Sequence, residues 1–280
     1  MADEDRVTIV TDVAFGTGGG RDLRCDVYTP PGGAERAPCV ILVHGGGWRE
    51  GDRTQLRGYG ILLGRQGYVC VAPEYRLTPE SPWPAQIHDV NAAIRWTRAN
   101  ADQLGIDPGR IALEGNSAGA HLALLAAGAP DVDAYVGEGG NAGVDTSVAA
   151  LIAIYPPTVF SHGERERGAV PWQALSDNGG LEDARLASPI HHVGPDFPPT
   201  MLIHGGSDTT VPPLASLRMY QALIAAKVPA ELHMYAEQPH AFDSLPAFGR
   251  QCAAEMALFL SRYLLPVSDP ASGDRVRSVG

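Results

Sequence analysis

The segment Gly115–Gly119 reads Gly-Asn-Ser-Ala-Gly and stands between a strand pattern and a helix pattern. The apolar run Ile111–Leu113 precedes it, and an Ala- and Leu-rich run begins at Ala120. A sharp turn from a strand into a helix requires small residues on both sides of its central residue, because side chains there would collide with nearby backbone. The pattern therefore predicts that Ser117 sits at the end of a strand with its hydroxyl exposed, beside the N-terminus of a helix.

Short apolar runs alternate with helical spacing along most of the chain. Strand patterns cover 7–15, 23–28, 39–43, 68–72, 110–113, 149–154, 200–203 and 230–235. Helical spacing covers 56–63, 84–100, 120–127, 211–227 and 246–264. This alternation predicts an α/β fold with a mostly parallel, eight-stranded sheet and helices on both faces. Only a short glycine turn separates the first two strands, which is compatible with an antiparallel pair.

The 280 residues are expected to form one domain over residues 1–266. Two irregular stretches, 129–147 and 156–198, interrupt the alternation and are rich in Gly or Pro. Long loops in such positions are typical of small lids or pocket walls. The polar segment 267–280 is expected to be a flexible tail.

Charge and composition exclude several classes of protein. A net charge of −11 without a basic stripe argues against a nucleic-acid partner. No apolar run reaches the length of a membrane span, and the N-terminus lacks the apolar segment of a secretion signal. The four cysteines are far apart, which is typical of buried thiols in a reducing cytoplasm: Cys25, Cys39, Cys70 and Cys252. We therefore expect a cytoplasmic protein.

A serine hydroxyl becomes an effective nucleophile when a base accepts its proton and a carboxylate orients that base. In a parallel sheet such groups belong on loops that follow the carboxyl ends of strands. Asp208 follows the strand 200–203 after a glycine turn, and His240 follows the strand 230–235. The chain order Ser117, Asp208, His240 is the one typical of hydrolases with a nucleophile elbow. The alternative for Asp208 is a helix-capping role.

The other histidines are less informative. His204 ends a strand and is expected to border the site, whereas a metal pair drawn from His191, His192 and Asp208 has no ligand spacing in its favour. We therefore expect neither a metal nor a cofactor.

A glycine-rich segment, His44–Trp48, follows the buried strand 39–43. Its glycines allow backbone N–H groups to face a substrate at a point where side chains would block the approach. We expect the N–H groups of Gly46, Gly47 and Ala118 to form an oxyanion hole, with His44 holding the loop.

Four aromatic residues follow strand ends or lie in the irregular stretches, and we expect them to line an apolar acyl or aryl pocket: Trp48, Tyr155, Trp172 and Phe242. Glu114 is unusual in an otherwise apolar strand. We expect it to pair with a nearby arginine; the alternative is a buried carboxyl with a raised pKa.

Together these motifs resemble α/β-hydrolase-fold esterases, in particular the hormone-sensitive-lipase-like group. The matching segments occur in order: His44–Gly47, Tyr75–Glu80, Trp83–Ala85 with Asp89, and Gly115–Gly119. Asn116 replaces the aspartate of the elbow motif, and Ala120 replaces its final glycine. With the acid in Gly-Ser-Asp-x-x-Val-Pro, these departures make the chain more similar to the bacterial feruloyl and acetyl-xylan esterase branch.

The resemblance implies a serine-dependent carboxylic ester hydrolase that acts on short-chain or aromatic esters through an acyl-enzyme. Arylformamidases have related motifs, so cleavage of an amide remains an alternative. A non-catalytic binding protein is a second alternative, which the retention of Ser117, Asp208 and His240 disfavours. The expected partner is a small-molecule ester, and an exposed final strand would suit a homodimer.

Overall fold

The computed structural model describes residues 6–130, 132–161 and 168–265, and the elements below lie within those ranges. The strands are β1 (Thr8–Gly18), β2 (Arg21–Thr29), β3 (Ala37–Val43), β4 (Val69–Pro73), β5 (Ile106–Asn116), β6 (Ala150–Ile154), β7 (Phe160–Ser161), β8 (Val170–Pro171), β9 (Thr200–Gly205) and β10 (Ala230–Tyr235). The α-helices are α1 (Arg57–Gly64), α2 (Ala85–Ala99), α3 (Ala101–Leu104), α4 (Ala118–Gly128), α5 (Leu181–Leu186), α6 (Leu214–Ala225) and α7 (Pro246–Leu264).

Eight of these strands form one sheet in the order β1-β2-β4-β3-β5-β6-β9-β10. The strand β2 runs antiparallel to both of its neighbours, and the remaining neighbours from β4 to β10 pair in parallel. The short strands β7 and β8 pair with each other outside this sheet. The predicted mostly parallel, eight-stranded α/β fold is therefore confirmed.

Side chains of the central strands point alternately into two cores, one on each face of the sheet. Helices α2, α4 and α6 cover one core, the α4-side core, which contains Ile41, Val43, Leu113, Leu122 and Leu202. Helices α1 and α7 cover the other, the α7-side core, which contains Val40, Leu42, Ile152, Ile203 and Phe259. Continuous apolar runs such as 39–43 are explained by this burial on both faces.

The strand β5 begins earlier than the sequence predicts. The segment Asp107–Gly109, expected as a turn, lies inside β5, where the register with β3 shifts between Ala37 and Cys39. The Asp107 carboxylate accepts a hydrogen bond from the N–H of Gly109 at 3.0 Å. The hydrogen bond of the expected turn is therefore present. Because β5 pairs with β3 both before and after this segment, the turn is an irregularity within a strand.

The first irregular stretch is tied to helix α2. The Arg95 guanidinium donates to the carbonyls of Gly140 and Val136, at 3.0 and 2.9 Å. Asn91 donates to the carbonyl of Tyr135 at 2.8 Å. The second stretch contains β7, β8 and α5, and the expected tail 267–280 lies outside the described residues.

All four cysteines are buried and free. Within the described ranges, every helix is too short or too polar to cross a bilayer.

Candidate active site

Ser117 occupies the turn between β5 and α4 with a strained backbone, at φ 53° and ψ −116°. Its N–H donates to the carbonyl of Ile154 at 2.9 Å, which anchors the turn to the end of β6. A Cβ on Gly119 would collide with the carbonyl oxygens of Val43 and His44. Glycine at this position therefore allows α4 to approach the end of β3 closely, which sets the position of Ser117 relative to the His44–Trp48 loop.

The structure brings Ser117, His240 and Asp208 into one chain of hydrogen bonds. The Nε2 atom of His240 lies 2.9 Å from the Oγ atom of Ser117. Its Nδ1 atom lies 2.6 Å from Oδ2 of Asp208. Because the carboxylate is an acceptor, Nδ1 carries the hydrogen, which leaves Nε2 free to accept the hydrogen of the serine hydroxyl. This is the imidazole tautomer that a general base requires.

Asp208 receives four hydrogen bonds although its side chain is fully buried. Its Oδ1 accepts from the N–H groups of Thr210 and Val211 at 2.8 and 2.9 Å, while His204 and His240 face Oδ2. Burial opposes ionisation, but the hydrogen bonds from His204, His240 and Val211 outweigh it and hold the Asp208 pKa well below its usual range. The carboxylate therefore stays charged over the whole neutral pH range.

His204 contributes more to this site than its sequence position indicates. Its Nε2 lies 3.2 Å from Oδ2 of Asp208 and 3.0 Å from the carbonyl of Val211. Both oxygens only accept, so Nε2 carries a hydrogen and donates. Its Nδ1 lies 2.7 Å from the Ser216 hydroxyl. A histidine at the end of a strand, four residues before a candidate carboxylate, is the only sequence signal for this contact.

The His44–Trp48 loop is held by its own polar contacts. Gly46 has φ +109°, and its carbonyl accepts the N–H groups of Arg49 and Glu50 at 3.0 Å each. The Tyr75 hydroxyl donates to the carbonyl of His44 at 3.0 Å, and the two rings stack at 4.1 Å. Nδ1 of His44 lies 2.7 Å from the carbonyl of Gly45. The loop is thus fixed beside the elbow.

Burial lowers the pKa of His44 to about 4, so its imidazole is neutral at neutral pH. A Cβ on Gly45 would lie 2.9 Å from the carbonyl of Asn116. Ala118 is the first residue of α4 and is buried. The three predicted oxyanion donors, Gly46, Gly47 and Ala118, therefore belong to two segments that meet at Ser117, and their role as donors stays a prediction.

The four aromatic residues predicted to share a pocket divide between the two cores. Trp48 and Trp172 lie in the α4-side core and both pack against Phe160, with ring centroids 5.6 and 6.0 Å away. The indole N–H of Trp48 donates to Nδ1 of His121 at 3.2 Å, and that of Trp172 donates to the Asn178 carbonyl at 2.7 Å.

Tyr155 and Phe242 lie in the α7-side core. The Tyr155 ring is 4.5 Å from the His240 ring, and Phe242 packs 6.2 Å from Tyr155. The structure does not bring all four aromatics together, so contact of any of them with a substrate stays a prediction.

The expectation that Glu114 pairs with an arginine is wrong. Its side chain is fully buried in β5, and neither carboxyl oxygen has a hydrogen-bond partner among the described residues. Burial, reinforced by the negative charge of Asp243, raises the Glu114 pKa well above its ordinary value. The alternative interpretation, a buried carboxyl with a raised pKa, describes the site.

Comparisons with known proteins identify the family of this chain. The BD-FAE family model matches residues 25–223. The esterase LipC of Mycobacterium tuberculosis is 38% identical over 256 residues, which cover 85% of this chain and 60% of LipC. The chain thus spans about three fifths or less of the length of LipC and of the curated relatives LipQ and LipM.

Two solved structures share the fold. A truncated carbohydrate esterase from gut microbiota superposes with a TM-score of 0.82 at 24% identity, covering 95% of this chain and 99% of that one. Butyrate-bound Est2 of Thermogutta terrifontis superposes with a TM-score of 0.77 at 26% identity, covering 94% and 96%. Because the family model and LipC both match most of the sequence, the chain belongs to the BD-FAE family of α/β-hydrolase-fold esterases.

Proposed function

We propose that this protein is a serine-dependent carboxylic ester hydrolase that works through an acyl-enzyme. The observation that carries the proposal is the hydrogen-bonded chain from Ser117 through His240 to Asp208, with distances of 2.9 and 2.6 Å. The names of its relatives, which include esterases and carboxylesterases, support the same class of reaction.

In the first half of the reaction, Nε2 of His240 accepts the hydroxyl proton as Oγ of Ser117 attacks the ester carbonyl. The carbonyl π electrons move onto its oxygen, and the N–H groups of Gly46, Gly47 and Ala118 stabilise that negative charge. Each donor of this kind is typically worth roughly 3 kcal/mol of the barrier. The charged Asp208 stabilises the imidazolium that forms.

The tetrahedral intermediate collapses when Nε2–H of His240 protonates the leaving alcohol, which leaves an ester between the acyl group and Ser117. His240 then removes a proton from water, and the resulting attack on the acyl carbonyl releases the carboxylic acid and restores Ser117. These reaction steps use protein groups and water alone.

We propose short-chain or aromatic esters as the substrate class. Est2, the relative at 26% identity, holds butyrate in one structure and propionate in another, which supports a short acyl group. The buried indoles of Trp48 and Trp172 offer apolar walls on the α4 side. The stretches 129–147 and 156–198 are proposed to complete these walls.

The test is turnover of a p-nitrophenyl ester series from acetate to decanoate, measured beside N-formyl-kynurenine. We expect the short esters to be hydrolysed fastest and Ser117→Ala to lower their turnover by at least about 10⁴-fold. Ser261→Ala, on the distant end of α7, is the matched control and should keep the wild-type rate. Faster cleavage of the formamide than of the esters would mean that the activity is amide hydrolysis and not the proposed ester hydrolysis.

A fluorophosphonate label separates catalysis from mere binding. Labelling of the wild type but not of Ser117→Ala is expected, and failure to label the wild type would favour the non-catalytic alternative. His240→Ala should slow labelling by several powers of ten, since the hydroxyl then has no base.

We further propose a cytoplasmic location and a homodimer. The four buried free thiols support a reducing compartment. The strand β10 forms one edge of the sheet, which supports pairing with the same strand of a second copy. Size-exclusion chromatography with light scattering tests the dimer.

A further inference from the structure

A second carboxylate, Asp243, lies at the centre of a polar cluster on the α7 side of the site. Its Oδ2 accepts hydrogen bonds from the Tyr59 hydroxyl and from Nδ2 of Asn116, each at 2.7 Å. Its Oδ1 accepts the Tyr155 hydroxyl at 2.5 Å. Nδ2 of Asn116 also donates to the Tyr155 oxygen at 2.7 Å. We call these four residues the Asp243 cluster.

The Asp243 cluster joins four segments that are distant in sequence. Tyr59 belongs to helix α1, and Asn116 immediately precedes Ser117. Tyr155 directly follows β6. Asp243 lies three residues after His240 on the same loop. The cluster therefore connects the segment that carries the base to the segment that carries the nucleophile.

Tyr155 relays this connection to the imidazole. Its ring packs 4.5 Å from the His240 ring, and its backbone has an unfavourable φ of 42°. Burial, with the charge of Asp243 next, raises the Tyr155 pKa well above its ordinary value, so the hydroxyl remains a donor. With its hydroxyl bonded at 2.5 Å to Asp243, the ring is a fixed surface against which His240 rests.

We infer that Asp243 is a positioning residue, which acts through Asn116 and Tyr155 to hold Nε2 of His240 within hydrogen-bond reach of Ser117 Oγ. The inference rests on the proposed ester hydrolysis and adds a residue outside the Ser-His-Asp chain. Asp243 makes its contacts with Tyr59, Asn116 and Tyr155, and it acts on the reacting atoms only through the last two.

The cluster requires one carboxylate and one amide. Asn116 and the two phenols supply three donors, and the two oxygens of Asp243 accept all three. In Asp243→Asn one of those oxygens becomes an NH₂ group that faces a donor. In Asn116→Asp two carboxylates face each other across the former 2.7 Å contact. In the double variant, one carboxylate and one amide are again present, with their positions exchanged.

The experiment measures kcat and KM for p-nitrophenyl acetate in these three variants, per serine titrated with a fluorophosphonate. Misplacement of a catalytic group by about 1 Å costs up to about 100-fold. We expect Asp243→Asn to lower kcat by about 10- to 100-fold with KM within about 2-fold of the wild type, because the effect lies on proton transfer. Asp102→Asn, on α3, is the matched control and should match the wild type.

The exchange distinguishes positioning from a purely structural role. We expect Asn116→Asp to be the slower single variant and the double variant to recover kcat to within about 5-fold of the wild type, because contacting residues couple strongly. A double variant no faster than the slower single variant would overturn the inference. Wild-type kcat in folded Asp243→Asn, or a change confined to KM, would also overturn it.

Two further variants keep the test decisive. If Asp243→Asn does not fold, Tyr155→Phe retains the ring against His240 but removes its bond to Asp243. Its kcat should fall about 10-fold, and an unchanged kcat would overturn the inference. Ser117→Ala separates this inference from the proposed function: if that variant keeps ester turnover, the proposed function fails. If it loses turnover while folded Asp243→Asn keeps it, only the role of Asp243 fails.

Discussion

Asp208 and Glu114 are both acidic side chains without solvent exposure, yet their surroundings are opposite. Asp208 lies in the loop after β9 and accepts four hydrogen bonds. Glu114 lies within β5 and has none among the described residues. The hydrogen bonds to Asp208 hold its pKa well below the usual range of an aspartate. Burial raises the pKa of Glu114 well above the usual value of a glutamate.

The difference follows from where each residue stands in the sheet. β5 pairs with β3 on one side and with β6 on the other, so its backbone N–H groups are committed to the ladder. The loop after β9 leaves the N–H groups of Thr210 and Val211 free to face a carboxylate. The loop after β9 therefore supports a charged carboxylate where the interior of β5 does not, which agrees with the usual place of functional groups at the carboxyl edge of a parallel sheet.

Removal of the Asp208 charge is the most severe test of this comparison. Asp208→Asn keeps the size of the side chain but replaces one acceptor oxygen by an NH₂ group that faces the two imidazoles. His240 then loses the partner that fixes its tautomer, and kcat for p-nitrophenyl acetate should fall by about 10³- to 10⁴-fold.

The matched control is Glu114→Gln, which alters the other buried carboxyl and should leave kcat within about 3-fold of the wild type, since a substitution that does not reach the reacting groups has little kinetic effect. If Asp208→Asn kept the wild-type rate, another residue would orient His240. If both variants lost activity equally, the contrast between the two carboxyls would have no catalytic meaning.

His204 sharpens the comparison, because it is the donor to Asp208 whose function the sequence does not reveal. His204→Phe removes the Nε2–H that lies 3.2 Å from Oδ2, while three other donors remain. Loss of one charge-assisted hydrogen bond should lower kcat about 10-fold, equivalent to about 1.4 kcal/mol of barrier.

Ser216→Ala serves as the control for His204. It removes the hydroxyl at Nδ1 but leaves the Nε2 donor in place, so kcat should change by less than about 3-fold if the Nε2 contact is the one that counts. Equal losses in the two variants would indicate that packing of the imidazole, and not donation to Asp208, is responsible.

The sequence indicates those parts of the site that local rules determine. The Gly115–Gly119 turn and the glycine loop at His44–Trp48 have backbone requirements that few residue types satisfy. Asp208 and His240 are predicted because each lies on the loop after a strand, and parallel strands end at one edge of the sheet.

The parts that the sequence does not indicate depend on contacts between distant segments. Asn116 and Asp243 are 127 residues apart, and no periodicity relates them. The division of Trp48 and Phe242 between opposite cores depends on how two loops return to the sheet. Charge alone predicts an arginine partner for Glu114, but the charged group that acts on its carboxyl is the acidic Asp243, and neither oxygen has a hydrogen-bond partner among the described residues.

Glu114 is expected to have the smallest effect on kcat, so its side of the comparison is tested through stability. The Glu114 pKa is raised in the folded state, whereas an unfolded glutamate ionises near its ordinary value of about 4.3. A raised folded-state pKa gives a contribution to stability that is complete below the unfolded value and is lost as the pH rises through the folded value. Since glutamine does not ionise, Glu114→Gln should escape that loss.

We therefore expect the free energy of unfolding of Glu114→Gln, relative to wild type, to increase between pH 4.5 and pH 7.5, at about 1.4 kcal/mol for each pH unit over which the glutamate is ionised only in the unfolded chain. Urea unfolding at the two pH values measures this difference. Glu182→Gln, at an exposed position on α5, should show almost no such change. A pH-independent difference for Glu114→Gln would mean that Glu114 ionises at its ordinary pKa and is charged in the folded protein at pH 7.5. Burial without hydrogen-bond donors would then not be enough to keep this carboxyl neutral.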